Sequence, residues 1–338
     1  MKHFSLISFV LVLFLTGCGL LSEKDKKKED YPAFKLIKLH DFNNRPITEV
    51  YINSKETNYV GTWEGITFEL KGGDIVYLNA ELTSRASRIK EINGKYYAKS
   101  GNSSFITSID GKKWTEVVEI KEPLFDYVVL ESGRIVLASF EGVYYKDPGD
   151  NEWTNKKFFF AGSSISYPNN VRHLVATKNG VLVVGTHDGM YRSLDEGENW
   201  EKTSDKISKV HDDISQLLAK ENGEVIAYAD QFAFLSRDDG ATWSTYTLPN
   251  KGDVPKAVED NGIEYAIFGA ELWARRSSND LYVNLEILKE LEKIDPQLVP
   301  YISNFYLRGN KIILYNSMYP SAIYTGTRVQ ESDIWDKF

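Results

Sequence analysis

Residues 193–200 read Ser-Leu-Asp-Glu-Gly-Glu-Asn-Trp, and residues 236–243 read Ser-Arg-Asp-Asp-Gly-Ala-Thr-Trp. The same residue types recur at four offsets: Ser193 and Ser236, Asp195 and Asp238, Gly197 and Gly240, Trp200 and Trp243. Working outward, each Trp follows a small turn dipeptide at a fixed distance. Gly94 precedes Trp114, Gly133 precedes Trp153, Gly180 precedes Trp200 and Gly223 precedes Trp243, always by 20 residues. Asn261-Gly262 continues the series with Tyr282 in place of Trp, and Gly309-Asn310 opens a degenerate copy. Successive copies start roughly 39 to 48 residues apart, which is the period of a propeller blade.

Within a copy the pattern is that of four short strands. In the clearest one, "HLVATK" (173–178) and "VLVVGT" (181–186) flank Asn179-Gly180, "MYRS" (190–193) follows His187-Asp188-Gly189, and Trp200 opens the fourth strand. Asn-Gly between apolar runs is a hairpin signal, because both central residues of a type I′ turn need positive φ. A four-stranded meander is one blade of a β-propeller. Upstream, Trp63-Glu64-Gly65-Ile66 aligns with Phe140-Glu141-Gly142-Val143. The expected fold is therefore all-β: a β-propeller of four-stranded antiparallel blades opening near residues 47, 85, 124, 172, 214, 256 and 303. Seven blades is the reading and six the alternative, with the last copy closing the ring against the first. A short helical insertion is expected near 284–296, where leucines and isoleucines fall at helical spacing before Pro296.

The pattern S-x-D-x-G-x-x-W resembles the Asp-box, or BNR repeat, of sialidases, sortilin-type receptors and photosystem II assembly factors. Two copies are intact; "SIDGKKW" (108–114), with Asp110, Gly111 and Trp114, is one residue short, and "KDPGDNEW" (146–153), ending at Trp153, lacks the Ser. Physically, the motif is a fastener. The Asp accepts hydrogen bonds from its own turn, the Gly takes a conformation that a Cβ resists, and the Trp is an apolar plate sized for the gap between blades. Asp110, Asp195 and Asp238 thus read as structural residues, and the motif specifies fold rather than function.

The N-terminus indicates where the chain goes. Lys2 precedes an apolar run from Phe4 to Phe14 that is too short to span a bilayer and fits a secretory signal. "LTGC" (15–18) resembles the bacterial lipobox, which implies cleavage before Cys18, a lipid on its sulfur and anchoring in the cell envelope, on the outer membrane in a Gram-negative host. Residues 1–17 are then a lipoprotein signal, 18–31 a lipidated, charged tether and 32–338 one propeller domain. Cys18 is the sole cysteine, so neither an intrachain disulfide nor a cysteine-based metal site can form. The net charge of −8 argues against nucleic-acid binding, which needs clustered Lys and Arg. The five histidines are scattered without metal-ligand spacing. Neither a metal nor another cofactor is expected.

Strand order places the turns after second strands, together with the inter-blade connections, on the face opposite the Trp motif. That face would gather Trp63, Glu64, Phe140, Glu141, His187, Asp188, Asp230, Gln231, Glu271 and Tyr319, an acidic rim studded with aromatics and suited to a basic partner. Two long connections share it: 154–171, with Phe158 to Phe160 and Tyr167, and 284–302. Three functions fit. A non-catalytic binding or assembly scaffold, held at the membrane by its lipid and engaging an envelope protein or a glycan, is the leading one. Envelope protection, by blocking a receptor or neutralising a toxin, is the second alternative. A glycoside hydrolase is the other: resemblance to sialidases implies an arginine trio, a tyrosine nucleophile helped by a glutamate, and an aspartate acid. Asn44-Arg45-Pro46-Ile47 departs from that family's Arg-x-Pro motif, and of the arginines only Arg88 and Arg172 open inner strands.

Overall fold

The protein is described from a computed structural model that covers residues 34–42, 47–55, 58–62, 67–71, 74–78, 86–157, 170–186, 189–204, 214–229, 232–249, 256–294, 302–316 and 321–328. These residues form seven four-stranded antiparallel sheets. Blades 1 to 6 are meanders spanning 47–78, 86–119, 124–156, 171–204, 216–247 and 257–284. Their inner strands open at Ile47, Ala86, Leu124, Val171, Gln216 and Ala257, within two residues of the positions that turn counting gives. Blade 7 takes three strands from 304–328 and its outermost from Phe34–Phe42, paired from Phe34↔Arg328 to Phe42↔Ser321. The N-terminal strand thus clasps the ring shut. This non-local pairing leaves no blade incomplete.

Burial explains the sequence pattern blade by blade. A second strand is covered on both faces by the neighbouring blades, so it reads as a continuous apolar run: Leu182–Thr186 and Val225–Ala229 are buried throughout. A fourth strand lies at the rim and is polar, as Glu201–Ser204 is. The motif turns fasten the third strand to the fourth. Asp195 Oδ1 accepts the N–H of Asn199 at 2.8 Å and the Ser193 hydroxyl at 2.8 Å, while Ser193 Oγ accepts the N–H of Gly197 at 2.8 Å. Ser236, Asp238, Gly240 and Thr242 repeat the arrangement. Asp110 does the same for Lys112 and Lys113, and Ser108 Oγ accepts from Gly111. Gly197 and Gly240 have φ of 97° and 79°. A Cβ on Gly240 would lie 2.9 Å from Val183 of the preceding blade, so both conformation and space exclude a side chain there.

Each Trp fills the gap towards the preceding blade. Trp200 and Trp243 are half-buried against clusters built from blades 3 and 4 and from blades 4 and 5, and each donates its indole N–H to the carbonyl of the motif Gly. Trp114 and Trp153 pack likewise between blades 1 and 2 and blades 2 and 3.

Blade 6 departs from this plan. Where blades 4 and 5 pair Leu182↔Ser193 and Val225↔Ser236 across the second and third strands, blade 6 pairs Glu264↔Arg275. Both are fully buried, and Arg275 Nη2 reaches the two carboxylate oxygens at 2.9 and 3.0 Å. Tyr228 donates to Glu264 at 2.5 Å, Tyr282 donates from the position of the missing Trp, and Lys220 Nζ lies 3.4 Å away. A buried ionic network thus replaces the indole plate between blades 5 and 6.

The expected helical insertion is a helix over Ile287–Ile294 that buries Ile287 and Leu291 against blades 6 and 7. Pro296 lies outside the described residues.

Candidate functional site

The seven inner strands surround a cavity of about 810 Å³ on the propeller axis, within the roughly 300–1,000 Å³ typical of ligand sites. Its walls carry five cations (Arg88, Lys90, Lys99, Lys256 and Arg308) and three carboxylates (Glu49, Glu91 and Asp126). The local excess is therefore positive, 5 − 3 = +2, in a chain whose net charge is −8.

Bulges shape the wall in blades 1 to 4, at or beside Glu49, Arg88, Lys90 and Asp126. In the inner strands of blades 1 to 4 the ladder register shifts between Ile47 and Glu49, Ser87 and Lys90, Leu124 and Asp126, and Val171 and His173. A bulge inserts extra chain on one strand and re-aims the side chains beside it. Here it occurs four times near the connection face. In blade 2 the bulge holds Arg88 at φ 56°, a conformation costing a non-glycine residue about 1–3 kcal/mol. Neighbours on both sides enforce it: Arg88 N–H donates to Glu49 Oε2 at 3.1 Å, and its carbonyl accepts the Tyr127 hydroxyl at 2.6 Å. The strained backbone directs the guanidinium to within 3.3 Å of Asp126.

Asp126 is buried and accepts the N–H groups of Tyr127 at 2.9 Å and Leu174 at 3.3 Å. Burial opposes its charge, but Arg88 and Lys90 outweigh that and hold the carboxyl below the usual range. Lys90 donates to the Tyr127 carbonyl at 2.8 Å and sits 3.8 Å from Asp126. Burial, with Arg88 and Lys256 nearby, pushes its amine down despite Asp126. His173, at the corresponding register of blade 4, is 8% exposed and lowered to about 4 by burial and by Arg88, so it is neutral at physiological pH. Its Nδ1 has no hydrogen-bond partner among the described residues.

At the other end of the inner strands of blades 1, 2 and 7, Arg308 Nη1 binds Glu91 and the Ile52 carbonyl, both at 3.0 Å, and Tyr51 donates to Glu91 at 3.1 Å. Burial opposes charge on Glu91, yet donors from Ser54, Arg308 and Tyr51 hold it low. Asp126 and Glu91 are thus fixed as anions, each in a set of donors, and neither holds a proton to give. The cavity is built to receive charge.

Of the sequence-expected rim, only Phe140, Glu141 and Glu271 are among the described residues. Trp63, Glu64, His187, Asp188, Asp230, Gln231 and Tyr319 lie outside the described residues, as do Cys18 and 158–169. Glu141 is exposed and pairs with Lys157 at 2.7 Å beside the half-buried Phe140. Glu271 is turned to a structural use: it is half-buried and accepts the N–H of Leu288 at 3.3 Å, capping the helix Ile287–Ile294. Burial raises its pKa, only partly offset by that hydrogen bond. Arg172 is exposed and takes no part in the cavity wall, whereas Arg88 does. A polar residue stands seven before the turn glycine in four successive copies: Ser87, Asp126, His173 and Gln216. That periodic interruption of apolar strands is the signal by which the axial site was readable.

No family model matches the chain, and no curated protein does. Among solved structures it is similar to YCF48 from Cyanidioschyzon merolae, with 7% identity, a TM-score of 0.63, and coverage of 87% of this chain and 98% of that one. A YCF48 bound to a D1 peptide matches at 10% identity and TM-score 0.62, covering 90% and 97%. A catalytically inactive virginiamycin B lyase from Staphylococcus aureus with quinupristin matches at 10% identity and TM-score 0.65, covering 88% and 100%. What these similarities establish is the fold: the chain is a β-propeller.

Proposed function

We propose that this protein is an exported, lipid-anchored propeller of the bacterial cell envelope that acts by binding, as a scaffold rather than a catalyst, and that the axial cavity is where it binds. The charged cavity carries this reading, because it combines size, strained backbone and fixed charge in one place. A structural neighbour holding a peptide favours a protein or peptide partner. The anchor reading rests on Cys18 in "LTGC".

Strand order adds an orientation. The clasp Phe34–Phe42 enters beside Arg328, at the face of the Trp motif, and leaves towards the connection face. The tether of a lipid on Cys18 would therefore join the ring at the motif face, opposite the connection face. Replacing Ser87, which lines the cavity, by Trp fills the space without altering charge. Capture from the native envelope, read by mass spectrometry, is expected to lose its specific partner in Ser87→Trp; an unchanged partner set would refute the cavity as the site. Cys18→Ser is expected to move the protein from the membrane fraction to the soluble fraction.

A further inference from the structure

We propose that the axial cavity is an anion receptor that grips its ligand through a carboxylate or phosphoryl group set among Arg88, Lys90 and Lys256. This rests on the cavity being the binding site, and names the chemistry it selects. That chemistry is the reverse of what an acidic rim would select.

The wall charges are unequal in use as well as in number. Each carboxylate is occupied by a backbone donor: Glu49 by the N–H of Arg88, Asp126 by those of Tyr127 and Leu174, Glu91 by that of Ser54 at 2.7 Å. Their positions are therefore fixed, and their capacity to neutralise cations is divided. On the other side, Lys256 lines the same cavity as Lys90 and has no carboxylate partner among the described residues, and its charge disfavours charge on Lys90. Three cations thus share one cavity with the carboxylates Asp126 and Glu49, in a space roomy enough for a guest. An anionic group placed among them relieves the mutual repulsion and gains charge-assisted hydrogen bonds. Arg88 supplies a planar fork that suits either oxyanion, and its guanidinium is held in place by its pinned backbone. The molecule's overall negative charge repels anions from its surface, so recognition depends on this local field rather than on general attraction.

The test uses four small probes on the folded protein by isothermal titration: inorganic phosphate, and the equal-length series glutarate, glutaramide and cadaverine. Binding of phosphate, glutarate or both is expected, with none for the neutral diamide or the diamine; which anion binds separates phosphoryl from carboxylate recognition. Lys256→Gln, a side chain without a partner to disturb, is expected to weaken the anion about tenfold, and Lys256→Glu to abolish binding. Arg88→Lys keeps the charge and loses the fork, so it is expected to fall between. Circular dichroism confirms that each variant is folded. No binding of either anion, or equal binding by wild type and Lys256→Gln, overturns the proposal. If Ser87→Trp abolishes partner capture while Lys256→Glu leaves it intact, the cavity remains the site and the anion assignment fails. If anions bind but Ser87→Trp leaves capture intact, the anion site stands and the scaffold reading fails.

Discussion

Replacing Glu264 by Val restores in blade 6 the residue that blade 5 carries at the same register, yet it is expected to destabilise the protein strongly. Glu264 is fully buried and is the common acceptor for Arg275, Tyr228, Tyr282 and Lys220. Arg275 is 1% exposed and Lys220 3%. Removing the carboxylate leaves the guanidinium without the carboxylate that its Nη2 shares, Lys220 with only Glu224, at 3.3 Å, and two phenols that must share one hydrogen bond between them, at 3.0 Å. Breaking one side of a buried ion pair costs about 3–5 kcal/mol. At roughly 2–4 °C per kcal/mol for a domain of this order of size, the melting temperature should fall by roughly 10 °C. The second substitution, Arg275→Ser, completes the blade 5 pair Val225↔Ser236. It removes the stranded charge, so the double variant is expected to recover most of the loss. Urea unfolding of the wild type, both single variants and the double variant closes the cycle, with an expected coupling of about 2–3 kcal/mol. A loss below about 1 kcal/mol in Glu264→Val, or strictly additive singles, would refute the claim that these groups form one ionic unit.

Other expectations follow from the same structure. Trp200→Ala should cost about 2–3 kcal/mol in denaturant unfolding, below the full value for a buried Trp because the indole is half-exposed. The motif aspartates should make stability acid-sensitive. At Asp110 the N–H groups of Lys113 and Lys112 hold the carboxyl low, and at Asp195 and Asp238 turn donors do so against the opposing effect of burial. Their folded pKa values lie below the unfolded one, so their contribution is full above about pH 4 and is lost as pH falls through the folded values. Asp195→Asn with Asp238→Asn should flatten that part of the stability–pH curve. His173 acts at higher pH. Its folded value of about 4 lies below the unfolded one, so the unfolded chain binds the proton first and stability falls as pH drops from about 6.5 to 4. In His173→Gln this slope should vanish, and a retained slope would show that another group titrates there.

Much of the fold was legible because its determinants are local. The Gly-to-Trp spacing reports two hairpin turns and the strands between them, and those turns demand positive φ and a fastening carboxylate wherever the chain puts them. The continuous apolar second strands, "VLVVGT" and "EVIAYA", recorded burial on both faces. Blade 6 was legible only in part. Tyr282 marks the missing Trp, but Glu264 and Arg275 carry no local signal, since nothing in their neighbourhood announces that the cross-strand register makes them partners. Glu271 likewise looked like a rim acid, because its use as a cap depends on a helix 16 residues further on.

The sequence by itself determined the repeating four-stranded unit, its punctuation and the place where each copy begins. These depend on turn chemistry and alternation within some forty residues. Only the tertiary structure decided that Phe34–Phe42 completes blade 7, and that Arg88, Lys90, Asp126 and Lys256 meet on the axis. Ring closure pairs segments from opposite ends of the chain. The axial charges come from separate blades, and those of blades 1 to 3 stand at or beside bulges, so the electrostatics of the site is a property of the assembled ring and of no single repeat.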